Sequence, residues 1–191
     1  MGSDIDRNQV SSHNAECIFA KIDGIQGESL DTTHKDEIEV LSLSWGVTNS
    51  GSPPGSAVSG VGGVAGKATF HDLTLVHKID KASALLLQAC ADGRLIQKAT
   101  ITYRNAGQQD YLIVTLNNII IRGVTAGATS GQVGSETVSL AFAKIDLEYM
   151  PQKADGSLDT GIHFNYDLMA NRLGSVPLAS IGGRPTPAPP G

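Results

Sequence analysis

Aromatic residues make up only 5% of this 191-residue chain, and cysteine occurs twice. Cys17 and Cys90 stand far apart, in neither a metal-ligating nor a C-x-x-C spacing. They read as two small buried hydrophobes rather than a disulfide or a redox pair. Positive charge is also short: 14 Lys and Arg face 19 Asp and Glu, and the formal charge is −5. No cluster of basic residues forms the stripe that a nucleic-acid binder needs. No apolar run approaches the roughly 20 residues that span a bilayer, so membrane insertion is not expected. The first 15 residues, MGSDIDRNQVSSHNA, lack an apolar signal region and read as a flexible extension over 1–15.

Catalytic signatures are missing as well. SGVGGVAGKAT, Ser59 to Thr69, looks like a phosphate loop, but the leading glycine position holds Val61 and the residue after Lys67 is Ala68. A phosphate loop must also open a helix, and the following ATFHDLTLVH does not read as one. His13, His34, His71, His77 and His163 are scattered. His71 and His77 share a face of one expected strand, but roughly 20 Å apart they cannot chelate one ion. Neither G-x-S-x-G nor H-E-x-x-H occurs. No catalytic residue, metal ligand or cofactor site is assigned, and the chain is not expected to be an enzyme. His77 and Asp80 are the pair to mutate if hydrolase activity were sought.

What is present is glycine, 22 residues of it, between short β-branched runs, the pattern of a sheet protein with many tight turns. Strands are expected at Glu16 to Asp23, Glu37 to Thr48, Ala68 to Lys78, Leu95 to Arg104, Tyr111 to Gly123 and Glu136 to Tyr149. In KATITYR, Ala99, Ile101 and Tyr103 point inward while Lys98, Thr100, Thr102 and Arg104 point to water. Two strands switch phase. Val138, Leu140 and Phe142 give way to Ile145, Leu147 and Tyr149, and Ile38 and Val40 give way to Leu41, Leu43 and Trp45. Each switch implies either a bulge or a strand that turns its second half to a neighbouring subunit. One helix interrupts the strands in DKASALLLQACADG, where Ala82, Leu85, Leu86 and Ala89 form a stripe, Asp80 caps the start and Gly93 the end.

The uncharged stretch Asn49 to Gly66 is too long for a hairpin turn and reads as an extended functional loop. The Gly- and Pro-rich end, 173–191, reads as a flexible tail too poor in apolar residues to build a core. Between them, 16–172 forms one domain.

Several motifs together resemble the Hcp family, the haemolysin-coregulated tube proteins of bacterial type VI secretion systems. They are K-I-x-G-I-x-G-E-S from Lys21 to Ser29, S-W-G from Ser44, GKATFHDLTLVH with the D-K-x-S helix entry at Asp80, and PQKADG from Pro151. The resemblance covers Cys17 to Arg172. It implies a mainly β fold, a compact two-sheet β-barrel-like domain with one short helix, six copies of which form a ring. Stacked rings make a tube that the sheath and spike machinery expels, and the lumen holds small effector proteins. The resemblance implies assembly in the bacterial cytoplasm and export without a signal peptide, with no cofactor. It also places an inter-ring loop at Val47, Asn49, Ser50, Gly51, Ser52, Pro53, Pro54, Gly55, Gly60, Gly62, Gly63 and Gly66. Leu43, Trp45, Ile145, Leu147 and Tyr149 are expected as core or subunit-interface anchors. A competing reading is a secreted β-sandwich module that binds carbohydrate or peptide on exposed aromatics.

Overall fold

A computed structural model describes residues 16–51 and 66–174. In chain order the elements are β1 (Cys17–Ile22), β2 (Ile38–Ser44), β3 (Val47–Asn49), β4 (Ala68–Phe70), β5 (Leu73–Lys78), α1 (Ala82–Asp92), β6 (Ile96–Arg104), β7 (Asp110–Gly127), β8 (Ser135–Tyr149), β9 (Ile162–Asp167) and β10 (Arg172–Leu173). The main sheet runs β10-β9-β8-β5-β2-β1-β6-β7, and β7 also pairs with β8. The strands β8-β5-β2-β1-β6-β7 therefore close into a barrel, with β9 and β10 outside it. Closure removes the sheet edges that an open array would expose. The expected β-barrel with one helix is the observed architecture.

Side chains fill the barrel. Ala20, Ile38, Leu73, Leu75, Ala99, Ile101, Val114, Leu116, Ile119 and Leu140 are fully buried and form one cluster with Leu86 of the helix. Alternation along β5 (Leu73, Leu75, His77) and early β8 (Glu136, Val138, Leu140) aims these residues inward.

The phase switch in β2 is an irregularity of the backbone. In β2 the pairing with β5 shifts between Val40 and Ser42, so Leu41 is the extra residue and is 54% exposed. In β7 the buried set moves from Val114 and Leu116 to Ile119 and Ile121 across Asn118, whose φ is 53°. Asparagine tolerates that left-handed conformation better than most residues. The facing strand switches from Phe142 to Ile145 at the same level, Asn117 standing opposite Lys144. There β8 also changes neighbours, pairing with β5 up to Leu140 and with β9 from Lys144 onward.

Two expected strands are each broken in two. Glu37 to Thr48 is interrupted at Trp45 and Gly46, and Ala68 to Lys78 at His71 and Asp72. The detached halves, β3 and β4, pair only with each other as a two-stranded ribbon. The break turns the chain off the barrel wall, and the His71 amide donates to the Gly46 carbonyl across it at 2.9 Å.

Helix α1 buries Ala82, Ser83, Leu86 and Ala89 against the barrel. Lys81 already has helical angles, so hydrogen bonding identifies Asp80 as the cap. Its Oδ1 accepts from the Ala82 amide at 2.9 Å, while its own amide donates to Ser83 Oγ at 3.1 Å. This is the reciprocal logic of a capping box with Ser in place of Glu. Gly93, with φ 65°, stops the helix. Two expectations fail at the ends. Cys17 is exposed and Cys90 half-buried, and Leu173, placed in the tail, pairs with Tyr166 in β10. The extension 1–15 and the tail from 175 onward lie outside the described residues.

Candidate functional site

The ribbon β3–β4 stands apart from the main sheet. All three residues of β3 are exposed, Val47 by 50%. The Asn49 side chain donates to the Gly66 carbonyl at 3.3 Å and accepts from the Gly51 amide at 2.8 Å, holding together the two chain ends from which 52–65 departs. Of the expected inter-ring residues, Val47, Asn49, Ser50, Gly51 and Gly66 thus lie on or beside this ribbon. Ser52, Pro53, Pro54, Gly55, Gly60, Gly62 and Gly63 fall outside the described residues. Aromatic contacts anchor the ribbon's other end. The Phe70 ring lies 4.9 Å from Tyr166 and 6.5 Å from Phe164 of β9, and edge-on to Phe142 of β8 at 6.3 Å.

The five expected anchors do not form one patch. Ile145 is in the core at 1% exposure, Leu43, Trp45 and Leu147 are half-buried against it, and Tyr149 is 42% exposed. Tyr149 ends an edge-to-face chain with Tyr111 and Tyr103, each step 6.3 Å. Burial pushes the Tyr103 phenol up, opposed by a hydrogen bond from Trp45. The described aromatics therefore pack largely on one another and not as an exposed platform, and the closed barrel is not a sandwich.

A second core, unforeseen in the sequence, lies outside the barrel wall. Phe19 of β1 points outward yet is 4% exposed, and Thr102 and Arg104 of β6, expected in water, are 5% and 6% exposed. The segment between β1 and β2 folds over them. His34 stacks on Phe19 with ring centres 4.4 Å apart, and the Arg104 guanidinium lies 5.8 Å above the same ring. Arg104 Nη1 reaches both Asp31 oxygens at 2.9 and 3.0 Å, and its Nε reaches Asp110 at 2.8 Å. His34 sits between Glu37 at 2.9 Å and Asp110 at 3.2 Å. Gly27 makes the fold-over possible, because a side chain there would land on the Glu37 carbonyl and Ile38. The unexplained Phe in the outward phase of β1 was the available sequence signal.

Amide hydrogen bonds from His34 and Thr33, with Arg104 beside them, hold the Asp31 carboxyl below its usual range against the opposing effect of burial. A carboxyl lowered in the folded state stabilises above its unfolded range and stops doing so as pH falls through the folded value. Acid is therefore expected to weaken the clasp as pH falls through and below the ordinary aspartate range. Asp31→Asn should lower the urea midpoint at neutral pH and flatten its fall toward acid; an unchanged acid limb would show that Asp31 does not control it.

The histidines do not converge. His71 is at the ribbon break, His77 is buried in the barrel, and among the described residues no group of three or more His, Cys, Asp or Glu could hold a metal. His77 Nε2 lies 2.8 Å from Glu136 Oε1 and its Nδ1 3.8 Å from Asp80. Both ends of the His77–Glu136 pair are buried away from substrate. No described helix is long and apolar enough to cross a membrane.

The fold is a small β-barrel filled by side chains, with one helix against it and a ribbon leaving its wall. Residues 19–149 match the family described as "Type VI secretion system effector, Hcp", and the chain belongs to that Hcp family. It is 40% identical over 159 residues to the protein Hcp1 of Pseudomonas aeruginosa, spanning 81% of this chain and 96% of that one. Hcp1 from Salmonella typhimurium superposes with a TM-score of 0.69 at 35% identity, covering 83% of this chain and 99% of the other. A type VI secretion system effector from Yersinia pestis gives 0.64 at 32%, covering 78% and 98%.

Proposed function

We propose that this chain is a structural subunit of the type VI tail tube, acting without catalysis. Six copies close into a ring, rings stack, and the sheath and spike drive the stack out of the bacterial cytoplasm. Small effector proteins travel in the lumen. The domain responsible starts at residue 16 and includes β10.

The observation that carries the reading is the filled barrel with a ribbon on its outside. Leu73, Leu75, Ile101, Leu116 and Leu140 occupy the barrel axis at 0% exposure, so no protein cargo fits inside one chain. Any lumen has to be enclosed between chains. Among the described residues the outer edges of β3 and β4 pair with no other strand, and such edges are the feature that sheets use to recruit another chain. Exposed Leu30, Leu41, Val47, Val133 and Ile162 supply apolar area for subunit contacts.

Deleting Ser50 to Val64 tests the arm. Among the described residues the buried core comes from the barrel strands, the turn after β1 and α1, and surface loops tolerate shortening, so the shortened chain should fold and form rings while ring stacking and export fall. Unchanged stacking and export would remove the arm from the mechanism.

A further inference from the structure

The buried pair His77–Glu136 has no part in tube assembly as described, and its geometry is unusual. The two residues face each other across β5 and β8, at 0% and 1% exposure. Their 2.8 Å approach is short, yet neither ring nitrogen of His77 nor Glu136 Oε1 makes an in-line hydrogen bond. On the other side of the ring stands Asp80, the cap of α1, at 3.8 Å. Glu28, from the segment between β1 and β2, accepts from the Lys81 amide at 3.1 Å and adds a third carboxylate beside Asp80. On β2 the residue paired with His77 is Val40, and on β7 the residue paired with Glu136 is Ala126; neither can ionise. The α1 residues hydrogen-bonded to Asp80 are Ala82 and Ser83, neither of which can ionise.

A neutral imidazole has one N–H and could turn it to only one of the two flanking carboxylates, leaving a lone pair against the other. An imidazolium presents a donor to each. A carboxylate as buried as Glu136 also requires a nearby cation or a proton of its own. Burial pushes the Asp80 carboxyl up, and Glu28 and Glu136 add to the rise while His77 opposes it, consistent with negative charge crowded around one imidazole.

We propose that His77 is a proton-operated lock: as imidazolium it ties Glu136 of β8 to Asp80 at the start of α1, and loss of its proton releases this end of the barrel. The lock joins two neighbouring pieces of backbone. Asp80 holds the first turn of α1, and the adjacent Ile79 amide donates to the Gly134 carbonyl just before β8 at 3.0 Å. Without the proton, Asp80, Glu28 and Glu136 repel one another with no cation between them. The lock therefore holds while His77 carries both ring protons and opens when one of them leaves.

The test uses the full chain, reading the His77 ring nitrogens by NMR and amide protection factors by hydrogen exchange from about pH 5.5 to about pH 8.5. The expected result is an imidazolium at the acid end, with protection at residues 77–83 and 134–138 falling at least about tenfold as its proton leaves. Protection at Ala99 to Ile101 of β6 should stay constant. Glu136→Gln should abolish the step, and His77→Lys, which keeps its charge, should hold protection at both ends of the range. A neutral ring at about pH 5.5, or protection that ignores the ring's titration in the unsubstituted chain, overturns the lock even if both variants fail to fold.

Discussion

Replacing Arg104 by Met is expected to lower the unfolding free energy by about 3 kcal/mol, the lower end of the range for removing one partner of a buried ion pair. The lower end applies because Asp31 and Asp110 keep 26% and 28% side-chain exposure while Arg104 keeps 7%. Methionine preserves much of the apolar stem over Phe19, so packing changes less than charge. What remains is Asp31, Asp110 and Glu37 gathered around His34 without the guanidinium that neutralised them. Calorimetry should show the loss as a fall in Tm of several degrees, since each kcal/mol moves a domain of this size by about 2–4 °C. A loss below about 1 kcal/mol would class the cluster with ordinary surface pairs. The segment between β1 and β2 would then be held by other contacts.

Leu86→Ala is the other large effect. Leu86 is fully buried between Ala82 and Ala89 on the face of α1 that meets the barrel, and α1 packs chiefly on β7. The flanking residues are small, which lets the helix approach closely and leaves Leu86 to fill the space between. Truncating it removes apolar contact and leaves a cavity that a closed barrel cannot collapse around, a cost of about 3 kcal/mol within the 2–5 typical of such changes. Leu87→Ala, on the exposed side at 50%, should cost under about 0.5 kcal/mol. Chemical denaturation of the two variants separates them, and equal losses would mean that the helix is seated on a different face.

The barrel strands and the helix were legible because their apolar residues follow simple periods: two in KATITYR, and three to four in ASALLLQAC. The ribbon was not, since Trp45–Gly46 and His71–Asp72 break their strands without a proline or a change in apolar pattern. β9, in HFNYD, was missed for a related reason. It is an outer strand with no fully buried residue, and its alternation of Ile162, Phe164 and Tyr166 with His163, Asn165 and Asp167 is only six residues long. Arg104 was read into water because alternation reports which side of the sheet a residue faces and says nothing of what covers that side. His77 and Glu136 were seen separately; only the β5–β8 register, set by the whole barrel, brings them together. The phase switch of β2 has its source in the Leu41 bulge, whereas that of β8 runs through an unbroken register with β7; which of Leu43, Trp45, Ile145, Leu147 and Tyr149 meet a neighbouring subunit is a property of the assembly and not of one chain's alternation.

The central claim is that the barrel is a ring-forming unit, and particle mass with particle shape tests it most directly. Purified full-length chain should run as a particle near six times 19.9 kDa and appear as an annulus with an open centre by negative-stain electron microscopy. A single-chain particle with no central hole, at concentrations where the domain is folded, would contradict it.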